Sequence, residues 1–211
     1  MKLLVLGSTG ATGRLLTTLA IAGGHEVRVL VRDATRTEPG PHIDIVQGDA
    51  RSAASVAAAM AGVDATISTL GMGLETTPNG LMIDATEAMI GGGRASGSGR
   101  VIVLSSWGVG ETLRRSGTVM RLLYQAGKKV HNEKADAEVF LRSSELDWTL
   151  VYPVMLTNGP ATHRVRMRDL DEVTKVSGLP RISRADVAAS LLAIAENTAW
   201  HRRTVVLDTH R

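Results

Sequence analysis

The first turn of the chain constrains the fold more than any other feature. The sequence opens MKLLVLGSTGATGRLL, an apolar run from Leu3 to Leu6 cut by glycines at Gly7, Gly10 and Gly13; the stretch from Arg14 to Ala22 then reads as a helix. The chain must turn sharply just where a helix begins. The first amides of a helix lack intrahelical partners and its dipole is positive at that end, so a glycine turn there lets an anion approach the backbone closely. Ser8, Thr9 and Thr12 add hydroxyls that can bond phosphate oxygens. Glycine spacing alone is a weak signal, because turns use glycine for their own reasons. Its position between an apolar strand and a helix makes Gly7 to Gly13, with Thr9, Ala11 and Thr12 inside it, a candidate phosphate-binding turn.

Further strand-like runs follow at 26–31 (EVRVLV), 43–47 (IDIVQ), 64–69 (DATIST), 100–106 (RVIVLSS) and 147–153 (DWTLVYP), and TVVLD at 204–208 reads as an edge or seventh strand. Helical stretches separate them: Ala53 to Met60, Leu81 to Ile90, a long one within Val119 to Arg142, and Ala185 to Glu196. Strands that alternate with helices and are apolar almost throughout predict an α/β protein, a doubly wound parallel sheet of the Rossmann type with both faces covered. With 211 residues, 44% of them hydrophobic, the expectation is a single domain over 1–211 with a small substrate-facing region after 153. The Gly-rich stretch from Gly91 to Arg100 reads as a flexible loop, and the basic segment HRVRMRD at 163–169 as a solvated excursion or a partner surface.

Composition removes several classes of function. The net charge is only +3, and 3% aromatic content leaves little for base stacking, so no nucleic-acid partner is expected. The chain has no cysteine, which excludes disulfides and thiolate chemistry, and its six histidines show no ligand spacing, so no metal is expected. The apolar run before the glycines is short for a signal peptide and no segment is long enough to cross a membrane, which predicts a cytoplasmic protein with no membrane partner.

In such a sheet the ligand lies beyond the carboxyl ends of the strands, near the reversal in strand order. After the second strand, an acidic residue would bond the ribose 2′-hydroxyl of NAD, whereas this chain reads LVRDATR. Arg32 and Arg36 suit a 2′-phosphate, which favours NADP(H), while Asp33 keeps NAD(H) open. Asp49 and Ala50 follow the third strand as an adenine contact, although Asp49 can also cap the helix that starts near Ser52. After the fourth strand, Leu70, Gly71, Met72 and Gly73 allow the backbone to approach the ribose and nicotinamide. Ser105 and Ser106 end the fifth strand. Tyr124 and Lys128 have the Tyr-x-x-x-Lys spacing that puts a phenol beside an ammonium on one helical face.

GSTGATG, LVRD, GDA, LSS, KADAEVFLRSSELDWTLVYP and RISRADVA together resemble the short-chain dehydrogenase/reductase superfamily, in its atypical NAD(P)-binding branch that includes NmrA-like proteins and the flavin reductase/biliverdin reductase B type. The resemblance runs over nearly the whole chain. Its most specific block matches at Lys134, Glu138, Leu141, Arg142, Ser144, Asp147, Trp148 and Thr149. It implies that Lys134 takes the place of the active-site lysine, and that Val130 occupies the position held by tyrosine in catalytic members. Ser106 aligns with the substrate-facing serine, and Pro153 with the segment whose backbone holds the carboxamide. Candidate catalytic residues are therefore Ser106 and Lys134. Ser105, Lys134 and Pro153 join the expected cofactor contacts Gly7, Thr9, Gly10, Ala11, Thr12, Gly13, Arg32, Arg36, Asp49, Ala50, Leu70 and Gly71. Glu138 reads as a surface partner of Lys134 one turn on, and His131 as a proton donor or a structural histidine. In the flavin reductase type a histidine follows the proline, and Met155 stands there instead.

The resulting expectation is an NADPH-dependent reductase that passes hydride to a flavin, quinone or related conjugated acceptor. Such a small-molecule substrate would lie over Ser106, Met72, Tyr152 and Met155. The alternative is a non-catalytic NADP(H)-binding sensor of the NmrA-like type, which would need a partner protein.

Overall fold

Strands that are apolar on both faces need a helical layer on each side. The computed structural model of the chain, which describes residues 1–71 and 77–209, supplies both layers. Its main sheet runs β3 (Ile43–Gln47), β2 (Glu26–Val31), β1 (Lys2–Leu6), β4 (Ala65–Ser68), β5 (Arg100–Leu104), β6 (Asp147–Pro153), β10 (Arg203–Thr209) and β8 (Val165–Asp169). All neighbours are parallel except the β10–β8 pair. Helices α1 (Ala11–Ala22) and α6 (Arg184–Ala195) pack together on one face. On the other lie α2 (Ala53–Met60), α3 (Leu81–Ser96) and α5 (Lys128–Ser143), with α4 (Thr118–Ala126) leading into α5. Leu3, Leu4, Val5 and Leu6 are wholly buried at the centre of this sandwich. The strand order reverses between β1 and β4, so the crevice of such a sheet opens where the Gly7 turn leaves β1. Among the described residues, no helix is long and apolar enough to cross a membrane.

Three expectations are corrected. First, α3 continues through Gly91, Gly92 and Gly93 to Ser96, where a flexible loop was expected. The glycines serve packing there: a Cβ on Gly92 would lie 3.1 Å from the Ala57 backbone nitrogen, and one on Gly93 would lie 2.5 Å from Leu146 Cδ2. Second, the long helix within 119–142 is two helices, α4 and α5, joined at Gly127.

Third, the basic segment is no solvated excursion, because Val165–Asp169 forms the antiparallel edge strand β8. Of the two places open to the strand at 204–208, it takes that of the seventh strand, inside the sheet between β6 and β8. Alternation along a strand puts Arg166 and Arg168 on one face, and both donate to the buried carboxylate of Asp208, Arg166 through Nε at 2.8 Å and Nη2 at 2.9 Å. No spacing rule links 166 to 208 in the sequence.

Between β6 and α6 the chain makes a small parallel pair, β7 (Met155–Thr157) with β9 (Arg181–Ser183). Asp186, in the first turn of α6, accepts from Thr162 N at 2.9 Å, His163 N at 3.0 Å and Ser183 Oγ at 2.8 Å. His163 sits in the left-handed region at φ 56°, held by that contact. The Ser-x-x-Asp arrangement is thus a helix cap that also ties down the segment following β7.

The two arginines hold the Asp208 carboxyl below its ordinary 3.8, although burial opposes them. A depressed carboxylate contributes stability that is complete above the unfolded-state value and is lost as the pH falls through the folded one. Asp208→Asn is therefore expected to reduce stability by about 2 kcal/mol near neutral pH. Urea titrations should show the difference between the two proteins shrinking below about pH 4.

Candidate functional site

The Gly7 turn is built around one carbonyl. Gly7 has φ +80°, and a Cβ there would stand 3.0 Å from the Thr69 carbonyl carbon. Gly10 N donates to Gly7 O at 2.9 Å. A Cβ on Gly13 would fall 2.1 Å from the same oxygen, so only glycine lets α1 sit this close to the end of β1. From across the strand reversal, Thr69 Oγ1 donates to Leu6 O at 3.0 Å and Gly7 O at 3.2 Å. The amino end of α1 is thereby fixed against the carboxyl edge of the sheet. Thr12 is buried, Thr9 half-buried and Ala11 exposed. Ser8 Oγ is buried with no hydrogen-bond partner among the described residues.

A groove of about 590 Å³ runs from this turn across the carboxyl ends of β2 and β3. Gly7, Thr9, Gly10, Arg32, Arg36, Asp49, Ala50, Leu70 and Gly71 all line it, as do Asp33, Arg51, Thr69, Asn79 and Leu81. Arg32 and Arg36 are exposed. The Asp33 carboxylate accepts from Thr35 N at 3.0 Å and Thr35 Oγ1 at 2.6 Å, which holds its pKa below the ordinary value. Asp49 accepts from Arg51 N at 2.9 Å, and α2 is capped by Ser52 instead, which corrects the capping alternative for Asp49. Met72 and Gly73 lie outside the described residues.

Sequence reasoning missed Thr69, Arg51 and Asn79. Arg51 Nη2 reaches Asn79 Oδ1 at 3.1 Å, joining the start of α2 to the start of α3. A hydroxyl two residues from a glycine pair was the only trace of Thr69 in the sequence, and Arg51 and Asn79 left none. An elongated groove with a helix amino end, a cradle that any Cβ would fill, and guanidinium groups at its far side fit a dinucleotide.

A second cluster stands at the ends of β5 and β6. Lys134 Nζ on α5 donates to Ser106 Oγ at 3.3 Å. Burial pushes the Lys134 ammonium below the usual lysine range, and the Glu138 charge opposes this. Val130 carries no acid. Tyr124 does not pair with Lys128, because the break at Gly127 takes the two off a common helical face. Instead Tyr124 OH donates to Asn132 Oδ1 at 2.6 Å, and its ring stacks on His131 with centroids 5.0 Å apart. Burial, with a smaller contribution from Lys134, lowers the His131 pKa.

Two further expectations fail here. Glu138 is not on a solvated face; it is buried and accepts from Ser105 Oγ and, at 2.5 Å, from Tyr152 OH. Ser105 is buried and turns its hydroxyl to Glu138. Tyr152 is wholly buried and cannot lie under a substrate. Pro153 is buried at the end of β6 with its carbonyl accepting from Trp107 N at 3.0 Å, and Met155 is half-buried.

Gly13→Ala places a methyl carbon against a backbone oxygen that α1 and β1 both hold in place. It is expected to cost about 3 kcal/mol in a thermal or urea melt and to abolish calorimetric binding of NADPH and NADH alike.

Three solved structures share the fold. An oxidoreductase, ylbE, from Lactococcus lactis superposes with TM-score 0.84 at 20% identity, covering 100% of this chain and 92% of its own. A short-chain dehydrogenase/reductase from Veillonella parvula gives 0.84 at 15% identity, with 99% and 94% covered. The anaerobillin reductase ChuY from Escherichia coli O157:H7 gives 0.79 at 24% identity, with 99% and 97% covered. The sequence profile of the family described as NAD(P)H-binding matches residues 7–198, and with the glycine cradle, the groove and the doubly wound sheet it shows that the chain belongs to this NAD(P)H-binding family, in keeping with an atypical short-chain dehydrogenase/reductase.

Proposed function

We propose that the protein is an NADPH-dependent reductase that delivers hydride to a conjugated acceptor of the flavin or quinone type. The observation that carries this reading is the cluster beyond β5: an ammonium on a serine hydroxyl, with valine where a phenol would donate a proton and with Tyr124 committed to Asn132. A ketone needs a proton donor at its oxygen as hydride arrives. A flavin or quinone takes its proton from water, so the missing acid is tolerable.

Preference for NADP(H) is supported by Asp33, whose carboxylate is occupied by Thr35, beside the exposed Arg32 and Arg36. Planar guanidinium groups bind a phosphate in paired hydrogen bonds, which an acidic residue would repel. When bound, the dinucleotide supplies the hydride. The chain's own residues bind and orient it: the amino end of α1 takes phosphate, the Gly7 turn admits it closely, and Lys134 with Ser106 presents donors to ribose and acceptor. In the region after 153, Met155 offers an adaptable apolar wall to a planar acceptor. The acceptor is the only partner this reading requires. Reduced dinucleotide is a cytoplasmic reductant, so the cytoplasm is the proposed setting.

Calorimetry is expected to show tighter binding of NADPH than of NADH, and Arg36→Ala to weaken NADPH about tenfold while leaving NADH unchanged. NADPH oxidation followed by absorbance should require FMN or a small quinone and should survive Tyr124→Phe. Tight NADPH binding without turnover on any acceptor would overturn the reductase and favour a redox sensor acting through a protein partner.

A further inference from the structure

The reductase reading leaves one buried acid without a role. Glu138 stands one helical turn beyond Lys134, and its two oxygens are held by hydroxyls from two neighbouring strands: Ser105 from the end of β5 and Tyr152 from β6. The turn at 110–115 closes over it, since a Cβ on Gly110 would lie 3.0 Å from Glu138 Oε2. Lys134, Ser105 and Glu138 share one cavity of about 10 Å³ with Thr86, otherwise walled by apolar side chains such as Leu141 and Leu150. That space is the size of one water and admits no ligand group. A carboxylate so placed is too deep to meet a substrate, and burying one without a counter-charge is costly. Ser106, whose hydroxyl Lys134 engages, directly follows Ser105.

We propose that Glu138 is a positioning residue: clamped by Ser105 and Tyr152, it is the buried counter-charge that keeps Lys134 an ammonium directed at the Ser106 hydroxyl. The other groups about Lys134 cannot do this. His131, on the same helix, adds only positive charge when protonated, and α3 contributes Met82 and Thr86 to the cavity. Glu133 turns to α3, accepting from Met82 N at 2.9 Å. Arg142 faces Glu138 and is itself paired with Glu111 at 2.5 Å. Burial alone would drive Lys134 toward the neutral amine and Glu138 toward the neutral acid, and each charge opposes the shift of the other. The clamp also explains why two hydroxyls at strand ends turn inward, away from the groove. Use of the ammonium in catalysis rests on the reductase reading, whereas the shared cavity and the hydroxyl clamp on Glu138 are properties of the folded chain.

The chain has five lysines, so the side-chain amines of lysine-labelled protein can be titrated individually by NMR, with Lys134→Arg assigning the Lys134 signal. Glu138→Gln preserves the shape and removes the charge; its single amide oxygen keeps one of the two acceptor contacts, and its amide nitrogen can donate to the other hydroxyl. It is expected to lower the Lys134 midpoint by about one pH unit and leave the other four lysines where they were. Tyr152→Phe removes one hydroxyl from the clamp and should lower the same midpoint by less; it decides the matter if the glutamine variant does not fold. A Lys134 midpoint that stays put would overturn the proposal. If the midpoint moves while the wild-type protein oxidises no NADPH with any acceptor, the pairing stands and only the reductase reading falls.

Discussion

The close approach of α1 to the end of β1, through the Gly7 carbonyl, is the contact on which the functional half of the molecule depends. That oxygen receives Gly10 N and Thr69 Oγ1, and the missing side chain of Gly13 lets the helix close on it. Three elements meet there: the first strand, the first helix and the strand on the far side of the topological reversal. Because the amides of the first helical turn are unpaired by construction, fixing that helix end at the sheet edge creates a rigid, positively polarised cradle before any side chain is considered. Arg32, Arg36 and Arg51 then surround the rest of the groove from the loops after β2 and β3.

The two ends of the site obey different physics. Around the groove the charged side chains are exposed, where charges stay adaptable and are screened by salt. Beyond β5 and β6 Glu138 is buried and Lys134 half-buried, and each is met by specific hydroxyls: Ser106 for Lys134, Ser105 and Tyr152 for Glu138. In low-dielectric surroundings these contacts count for more, and an unpaired partner costs more, than on the surface. The region is therefore well suited to holding one charge arrangement, as the proposed hydride delivery would require.

Much of this was legible from periodicity and turn chemistry. Apolar runs alternating with helices announced the doubly wound sheet, and the glycine turn announced the groove, because both are local patterns with a local cause. Expectations failed where the cause was distant. Gly92 and Gly93 looked like a loop until Ala57 and Leu146 were found against them. Arg166 and Arg168 looked like a solvated run until Asp208 was found beneath them. Glu138 looked like the surface partner of a lysine because i, i+4 spacing is shared by exposed and buried pairs alike.

The sequence by itself determined the strand–turn–helix with its glycine cradle, the alternation of parallel strands with helices and the valine at position 130, since each is written in consecutive residues. Only the tertiary structure decided which side chains face the groove and which turn inward to neutralise one another. Ser105 and Ser106 are adjacent in sequence, yet one is spent on a buried carboxylate and the other meets the lysine. The reason is that β5 ends at Leu104, so strand alternation no longer applies at 105 and 106, and both hydroxyls reach the same face of α5 one turn apart, at Glu138 and Lys134.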